Sequence, residues 1–166
     1  LRFSIVVPEP VIVVDIAKQI LTYTDSAGHS SSFPVSTSKY GAGERNGSFK
    51  TPRGRHEIRA KIGAGSPVGT VFVGRRATGE IYTDALARAN PGRDWILTRI
   101  LWLSGLEPGR NRFGDLDTMR RYIYIHGMPD SEPCGAPGSI GCIRMRNNDI
   151  VALFDQVSAG TVVLIQ

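Results

Sequence analysis

Apolar and polar positions alternate along this chain only in short runs, each closed by glycine or proline. Val11 to Asp15 is one such run and Phe3 to Val7 another, with Pro8 and Pro10 between them. A period of two places successive side chains on opposite faces and predicts strands. Ala17-Lys18 turns the chain into Gln19 to Thr24, where Tyr23 and Thr24 keep the β character. Asp25-Ser26-Ala27-Gly28 reads as a turn and Ser30 to Ser36 as the next strand, so the opening third is a meander of hairpins. Further strands are predicted at His56 to Ala60, Thr70 to Val73 and Tyr122 to Ile125. Asp94 to Leu103 is nearly filled with apolar residues, and periodicity does not decide it. Its Ile96, Thr98, Ile100 and Trp102 favour a buried strand.

Two segments depart from the β pattern. Thr83 to Asn90 reads as a short helix stopped by Pro91-Gly92. After Cys142 the apolar period lengthens: Ile150, Val151, Leu153, Phe154 and Val157 form a helix stripe. Asn147 or Asn148 is placed to cap it, and Gly160 to end it, before a last strand at Thr161 to Ile165. The expectation is a mostly β fold, a two-sheet sandwich or flattened barrel with one clear C-terminal helix, in a single domain over residues 1–166.

Composition narrows the function classes. The net charge is +5 with pI near 9.6, which suits an anionic partner. Basic residues are scattered and aromatics do not interleave with them, which argues against a nucleic-acid platform. No apolar run approaches the ~18 residues of a membrane span. The N-terminus LRFSIVVPEP lacks the parts of a signal peptide, and the missing initiator Met suggests that a leader or longer region was removed. A zinc site on Cys134, Cys142 and His126 lacks the short cysteine spacing and a fourth ligand, so no metal and no cofactor is expected. Two free thiols are the default reading, with a Cys134–Cys142 disulfide as the alternative.

The chemistry-bearing stretch is Tyr122 to Met145, YIYIHGMPDSEPCGAPGSIGCIRM. A strand-like run leads to His126, a Pro/Gly-rich loop follows, and a second β-favouring run begins at Cys142. Folding strand–loop–strand lets His126 meet Cys142, a thiol beside an imidazole that would hold it as thiolate. The Gly127 carbonyl can orient the ring, and N–H groups around Gly141 and Cys142 can form an oxyanion hole. Arg144, two residues after Cys142, is placed on the same strand face to hold a substrate carboxylate, or else to brace the loop. Ser139 either positions the loop or reaches the site. Tyr124 either lines the His126 face or packs in the core. The Gly41 to Gly47 loop, GAGERNG, suggests an active-site lid; His56 is a candidate supporting residue and His29 a solvent-exposed one. Trp95 and Trp102 are read as core residues, and no third acid among Asp115, Asp117, Asp130 and Glu132 can be singled out.

His126-Gly127 followed by Ser139-x-Gly-Cys-Ile-Arg-Met resembles the active-site signature of the YkuD-type L,D-transpeptidases. The likeness extends to Pro34 to Ser38 and Thr51-Pro52-Arg53-Gly54, from about Val11 to the C-terminus. Ile140 stands where that family often has a histidine before Gly-Cys, leaving His126 as the one imidazole of the motif. The resemblance implies a YkuD-like β scaffold and cysteine-dependent acyl transfer on peptidoglycan stem peptides, with D-Ala leaving. It also implies acylation by carbapenem-type inhibitors and a place in the cell envelope, periplasmic or otherwise extracytoplasmic. A hydrolase on the same scaffold (an L,D-carboxypeptidase or peptidoglycan amidase) and a non-catalytic wall-binding module remain the alternatives.

Overall fold

The computed structural model describes Val6 and residues 8–166. Ten strands and two α-helices follow in the order β1 (Val11–Asp15), β2 (Ile20–Thr24), β3 (Ser30–Ser36), β4 (Gly54–Ile62), β5 (Thr70–Val73), β6 (Arg76–Ile81), α1 (Asp84–Ala89), β7 (Ile96–Gly105), β8 (Tyr124–Met128), β9 (Ile143–Arg146), α2 (Asn147–Gln156) and β10 (Val162–Ile165). The strand expected at Phe3 to Val7 lies outside the described residues apart from Val6, which is in no strand. The strands form one sheet in the order β4-β10-β1-β2-β3-β9-β8-β7-β5-β6, and β4 also pairs with β7. That extra pairing closes eight strands into a barrel and leaves β5-β6 as a hairpin flap attached to β7. Closure removes the unpaired edges that an open sheet would present. The fold is mostly β, as the alternation predicts.

β7 makes closure possible by changing partners along its length. Its start pairs with β5 (Val71↔Leu97), and the stretch from Ile100 to Gly105 pairs with β4. Between these the register against β8 shifts, and Thr98 sits at φ +75°, an unusual angle for a β-branched residue. Asn147 secures this kink. Its Oδ1 accepts from the Thr98 hydroxyl at 2.5 Å, while its Nδ2 donates to the Met128 carbonyl at 2.9 Å and to Asp130 at 3.1 Å. Asn147 is therefore the first residue of α2 and ties it to the sheet, rather than capping it; Arg146 takes the cap position without a side-chain bond. α2 also ends earlier than Gly160, at Gln156.

Alternation sorts the two faces of β8 and β9. Ile123, Ile125, Ile143 and Met145 point into the barrel, in one core with Ile12, Val14, Leu21, Leu101 and Leu103. Ile150, Leu153 and Phe154 of α2 belong to the same core, so the apolar helix stripe was read correctly. The even-numbered residues Tyr124, His126, Cys142 and Arg144 occupy the opposite face, where Tyr124 and Cys142 meet Phe72, Ile100 and Trp102. β6 was not foreseen. Its residues RATGEI are almost all exposed, and an edge strand without a buried face leaves no alternation to read.

Candidate active site

β8 and β9 run parallel, not as a hairpin: His126 lies opposite Arg144, and Ile125 opposite Ile143. Residues 129–142 form the crossover that a parallel pair requires. His126 is the third residue of a five-residue strand rather than its end, because the strand continues through Gly127 and Met128. Continuing the register sets Cys142 beside Tyr124, whose backbone N–H donates to Sγ at 3.3 Å. His126 and Cys142 are thus diagonal neighbours on one face. Such neighbours have Cα atoms about 7–8 Å apart, within reach of an imidazole.

The ring and the thiol rest on separate partners. His126 Nδ1 bonds the Gly127 carbonyl at 2.7 Å, as expected from sequence, which fixes the ring and its tautomer. Gly127 itself is required for a reason the sequence did not suggest. A Cβ there would lie 2.6 Å from the Leu97 carbonyl and 2.5 Å from Asn147 Oδ1. The Cys142 thiol donates to the Tyr122 carbonyl at 3.4 Å. Among the described residues no hydrogen bond joins the ring to the sulfur.

Electrostatics oppose a resting thiolate. Burial pushes the Cys142 thiol up to about 12, with the Asp94 carboxylate adding to the rise against the Tyr124 N–H, Arg121 and Arg144. Burial likewise holds the His126 imidazole below its ordinary value, against the Gly127 carbonyl and Asp94. In the substrate-free site these shifts favour a neutral thiol and a neutral imidazole over the thiolate–imidazolium pair expected from sequence.

The loop before Cys142 is held by a chain of short bonds. Ser139 Oγ donates to the Cys142 carbonyl at 2.5 Å and accepts from the Gly141 N–H at 3.2 Å. Thr51 Oγ1 donates to the Gly141 carbonyl at 2.9 Å, and Gly141 sits at φ +135°, where a side chain would be strained. Ser139 is therefore a loop-positioning residue. The Gly141 N–H, expected as an oxyanion donor, is occupied by Ser139 in this state. Arg144 also has partners: Glu132 at 2.9 Å and Ser36 Oγ at 3.1 Å. Those contacts favour its loop-bracing role over carboxylate binding.

Cys142 opens into a cleft of about 510 Å³, lined also by Tyr124, Tyr122, Arg75, Asp94, Arg121 and Ile140. Tyr124 does line the site face, and its hydroxyl accepts from Arg75 at 3.0 Å. Phe49, Tyr122 and Ile140 are 54%, 54% and 44% exposed, giving the cleft an apolar rim. Arg121 donates to the carbonyls of Gly43, Glu44 and Lys50, and Glu44 pairs with Arg53. The bonds to Gly43 and Glu44 hold the GAGERNG loop, expected as a lid, against Arg121 beside the cleft. Arg75, Asp94 and Arg121 escaped sequence reasoning: they lie 20 to 70 residues from Cys142 in polar turns with no signature.

The remaining candidates fall outside the cleft. His56 is buried on β4 with Nδ1 on the Gly54 carbonyl at 3.0 Å and Nε2 on Thr118 Oγ1 at 2.9 Å, and burial lowers it to about 4. Its role is structural. His29 is exposed beside Asp25. Trp95 is core, packed with Val71 and Leu97, while Trp102 is half-buried under Arg75. Cys134 and Cys142 are both free. The Cys134 thiol donates to the Pro34 carbonyl at 3.4 Å, and the β3–β9 register (Val35↔Met145, Ser36↔Arg144) carries Pro34 to Arg146, at the far end of β9. Four residues of strand amount to about 13 Å, beyond disulfide reach. Among the described residues no helix is long and apolar enough to cross a membrane, and no cluster of His, Cys, Asp and Glu could hold a metal.

Comparison with known proteins adds to this geometry. The family model YkuD, L,D-transpeptidase catalytic domain, matches residues 9–165. No curated protein matches. Among solved structures, an L,D-transpeptidase from Mycobacterium smegmatis superposes with TM-score 0.60 at 22% identity, covering 95% of this chain and 58% of its own. An L,D-transpeptidase from Xylanimonas cellulosilytica gives TM-score 0.56 at 20% identity, covering 95% and 60%. L,D-transpeptidase 3 from Mycobacterium tuberculosis, solved with a faropenem-derived adduct, gives 0.59 at 17%, covering 96% and 60%. At these identities the likeness shows the fold, and this chain spans about three fifths of the length of each.

Proposed function

We propose, from the premise that this chain belongs to the YkuD L,D-transpeptidase catalytic domain family, that it is a cysteine-dependent acyltransferase acting on peptidoglycan stem peptides. One observation carries the reading: Cys142 stands in an open cleft on the same strand face as His126, whose ring is fixed by the Gly127 carbonyl. The whole of residues 1–166 serves as one catalytic domain, outside the cytoplasm where its substrate lies.

The chemistry starts from neutral partners. Substrate entering the cleft displaces the thiol proton from the Tyr122 carbonyl, and His126 takes it through Nε2 as sulfur attacks the donor carbonyl. The oxyanion is held by N–H groups around Gly141 and Cys142, that of Gly141 being released from Ser139 as the oxygen arrives. One such donor supplies about 3–4 kcal/mol. The C–N bond then breaks, His126 protonates the leaving amine of D-Ala, and an acyl-enzyme remains on Cys142. A second amine resolves it. Carbapenem-type β-lactams would acylate the same sulfur; a structural neighbour was solved with an adduct derived from faropenem, a penem.

Incubation with disaccharide tetrapeptide, with and without an amine acceptor, tests the reading by mass. A cross-linked dimer, absent in Cys142→Ala, is the expected product. Loss of D-Ala alone would make the protein a hydrolase on this scaffold. No reaction of any kind would leave a wall-binding module.

A further inference from the structure

The peptide bond between Gly141 and Cys142 is gripped from its carbonyl side. Thr51 Oγ1 donates to the Gly141 carbonyl at 2.9 Å and accepts from the Ser38 N–H at 3.0 Å. These roles do not exchange, because an N–H only donates and a carbonyl only accepts. The hydroxyl proton of Thr51 therefore has one destination. Thr51 and Ser38 are 0% and 1% exposed, so both bonds are made away from water.

Thr51 is itself fixed from several sides. Its N–H donates to the Gly41 carbonyl at 3.0 Å, and its carbonyl accepts from the Gly43 N–H at 2.9 Å. Ser38 Oγ donates to the Phe49 carbonyl, and Ser38 forms a parallel bridge with Ser139. The backbone of Phe49 and Lys50 packs directly on Gly141: a Cβ there would lie 3.6 Å from the Lys50 carbonyl oxygen and 3.9 Å from that of Phe49. A peptide unit is planar, and with no cis bond among the described residues its C=O and N–H point opposite ways. Drawing the Gly141 oxygen to the buried Thr51 side turns the Cys142 N–H away from it. That N–H has no partner among the described residues, whereas the Gly141 N–H is held by Ser139 Oγ.

We infer that Thr51 is a positioning residue for acyl transfer, its hydroxyl setting the plane of the 141–142 peptide so that the Cys142 N–H faces the cleft as oxyanion donor. This rests on the acyl-transfer reading and names a residue that reading did not use. As the C–S bond forms, the carbonyl π pair moves to oxygen, and that oxygen accepts from the Cys142 N–H. When the pair returns, the C–N bond breaks and the amine leaves with the proton from His126. Without the Thr51 hydroxyl the peptide is free to tilt, and the donor misaligns as charge develops. Removing an oxyanion donor outright costs about 10²–10³ in kcat, so misaligning one should cost at least about 10-fold.

Two reactions of the same sulfur separate this from a merely structural role. Acylation by disaccharide tetrapeptide passes through an oxyanion; alkylation by iodoacetamide displaces iodide from a saturated carbon and makes none. All variants carry Cys134→Ser, which leaves one sulfur, and thermal midpoints confirm that each is folded. Thr51→Val keeps the side-chain shape and removes the bond. It should lower kcat at least about 10-fold while KM and the alkylation rate stay within about threefold, and Thr51→Ser should bring kcat back to within about threefold. Residual dipolar couplings of the Cys142 N–H in the ¹⁵N-labelled chain read the peptide plane without catalysis: they should change in Thr51→Val and hold in Thr51→Ser. An unmoved kcat in Thr51→Val, alkylation slowed as much as acylation, or unchanged couplings overturns the inference. Couplings that change as expected, with no acylation of the unsubstituted chain, overturn the function instead and leave Thr51 as the anchor of the peptide.

Discussion

Alkylation of Cys142 as a function of pH reads directly whether the resting nucleophile is a thiol or a thiolate. With the thiol pushed up to about 12, only about one sulfur in 10⁴ is ionised at pH 8, against roughly a quarter for a free cysteine of pKa ~8.5. That is a deficit of about 2,000-fold. A more basic thiolate is intrinsically more nucleophilic, and a Brønsted slope of about 0.4–0.5 over the difference recovers roughly 25- to 55-fold. Iodoacetamide should therefore label Cys142 about 50- to 100-fold more slowly than free cysteine at pH 8. The rate should climb tenfold per pH unit to pH 10 without levelling. The assay is intact-mass kinetics on the Cys134→Ser protein, which leaves one reactive sulfur. A rate that levels off with an apparent pKa near or below 7 would refute the neutral-pair argument and restore a thiolate–imidazolium pair.

Acid should destabilise the fold through its buried histidines. His56 is depressed to about 4, so between pH 6.5 and 4 the unfolded chain binds a proton that the folded chain excludes, and stability falls as pH falls. From pH 7 to pH 5 His56 alone should remove about 2 kcal/mol, read as a lower urea midpoint, and His56→Gln should shrink that loss; an unchanged loss would exclude His56 as its source. His126 is depressed too, so its neutral form persists below pH 6.5 and kcat/KM should fall only in more acid solution. A profile already falling at pH 7.5 would contradict that order. Gly127→Ala would press a methyl on the Leu97 carbonyl and Asn147. A destabilisation of about 1–3 kcal/mol with loss of turnover is expected, and near-native stability would show that β7 yields there.

The parts that could be read from the chain are those in which neighbours in sequence bear the physics. Val11 to Asp15 buries alternate residues, Thr70 to Phe72 is buried throughout, and Ser30 to Ser36 runs from an exposed start to a buried end; all three strands match the expected spans. The α2 stripe is legible for the same reason, whereas its start is not. Asn147 looks like a cap because its type favours that position, yet the kink at Thr98, 49 residues away, claims its side chain. Polarity of β8 against β9 is likewise hidden, since a glycine-rich loop serves a hairpin and a crossover equally well. His126, Gly127 and Cys142 lie within one local signature. Arg75 and Asp94 reach the cleft only because β7 carries the β5-β6 flap and the preceding turn to its rim, and no local pattern encodes that. Arg144 shows the reverse: its position suggested a ligand, but Glu132 and Ser36, far apart in sequence, claim it.

Acyl transfer through a single sulfur is tested most directly by trapping the intermediate. The protein mixed with disaccharide tetrapeptide, quenched in acid within a turnover and digested, should carry the tripeptide acyl group on the peptide containing Cys142. Replacing His126 by Gln should slow its appearance by two or more orders of magnitude while the melting point stays close. Cross-linking or D-Ala release that continues in Cys142→Ala, with no adduct on the unsubstituted protein, would contradict it.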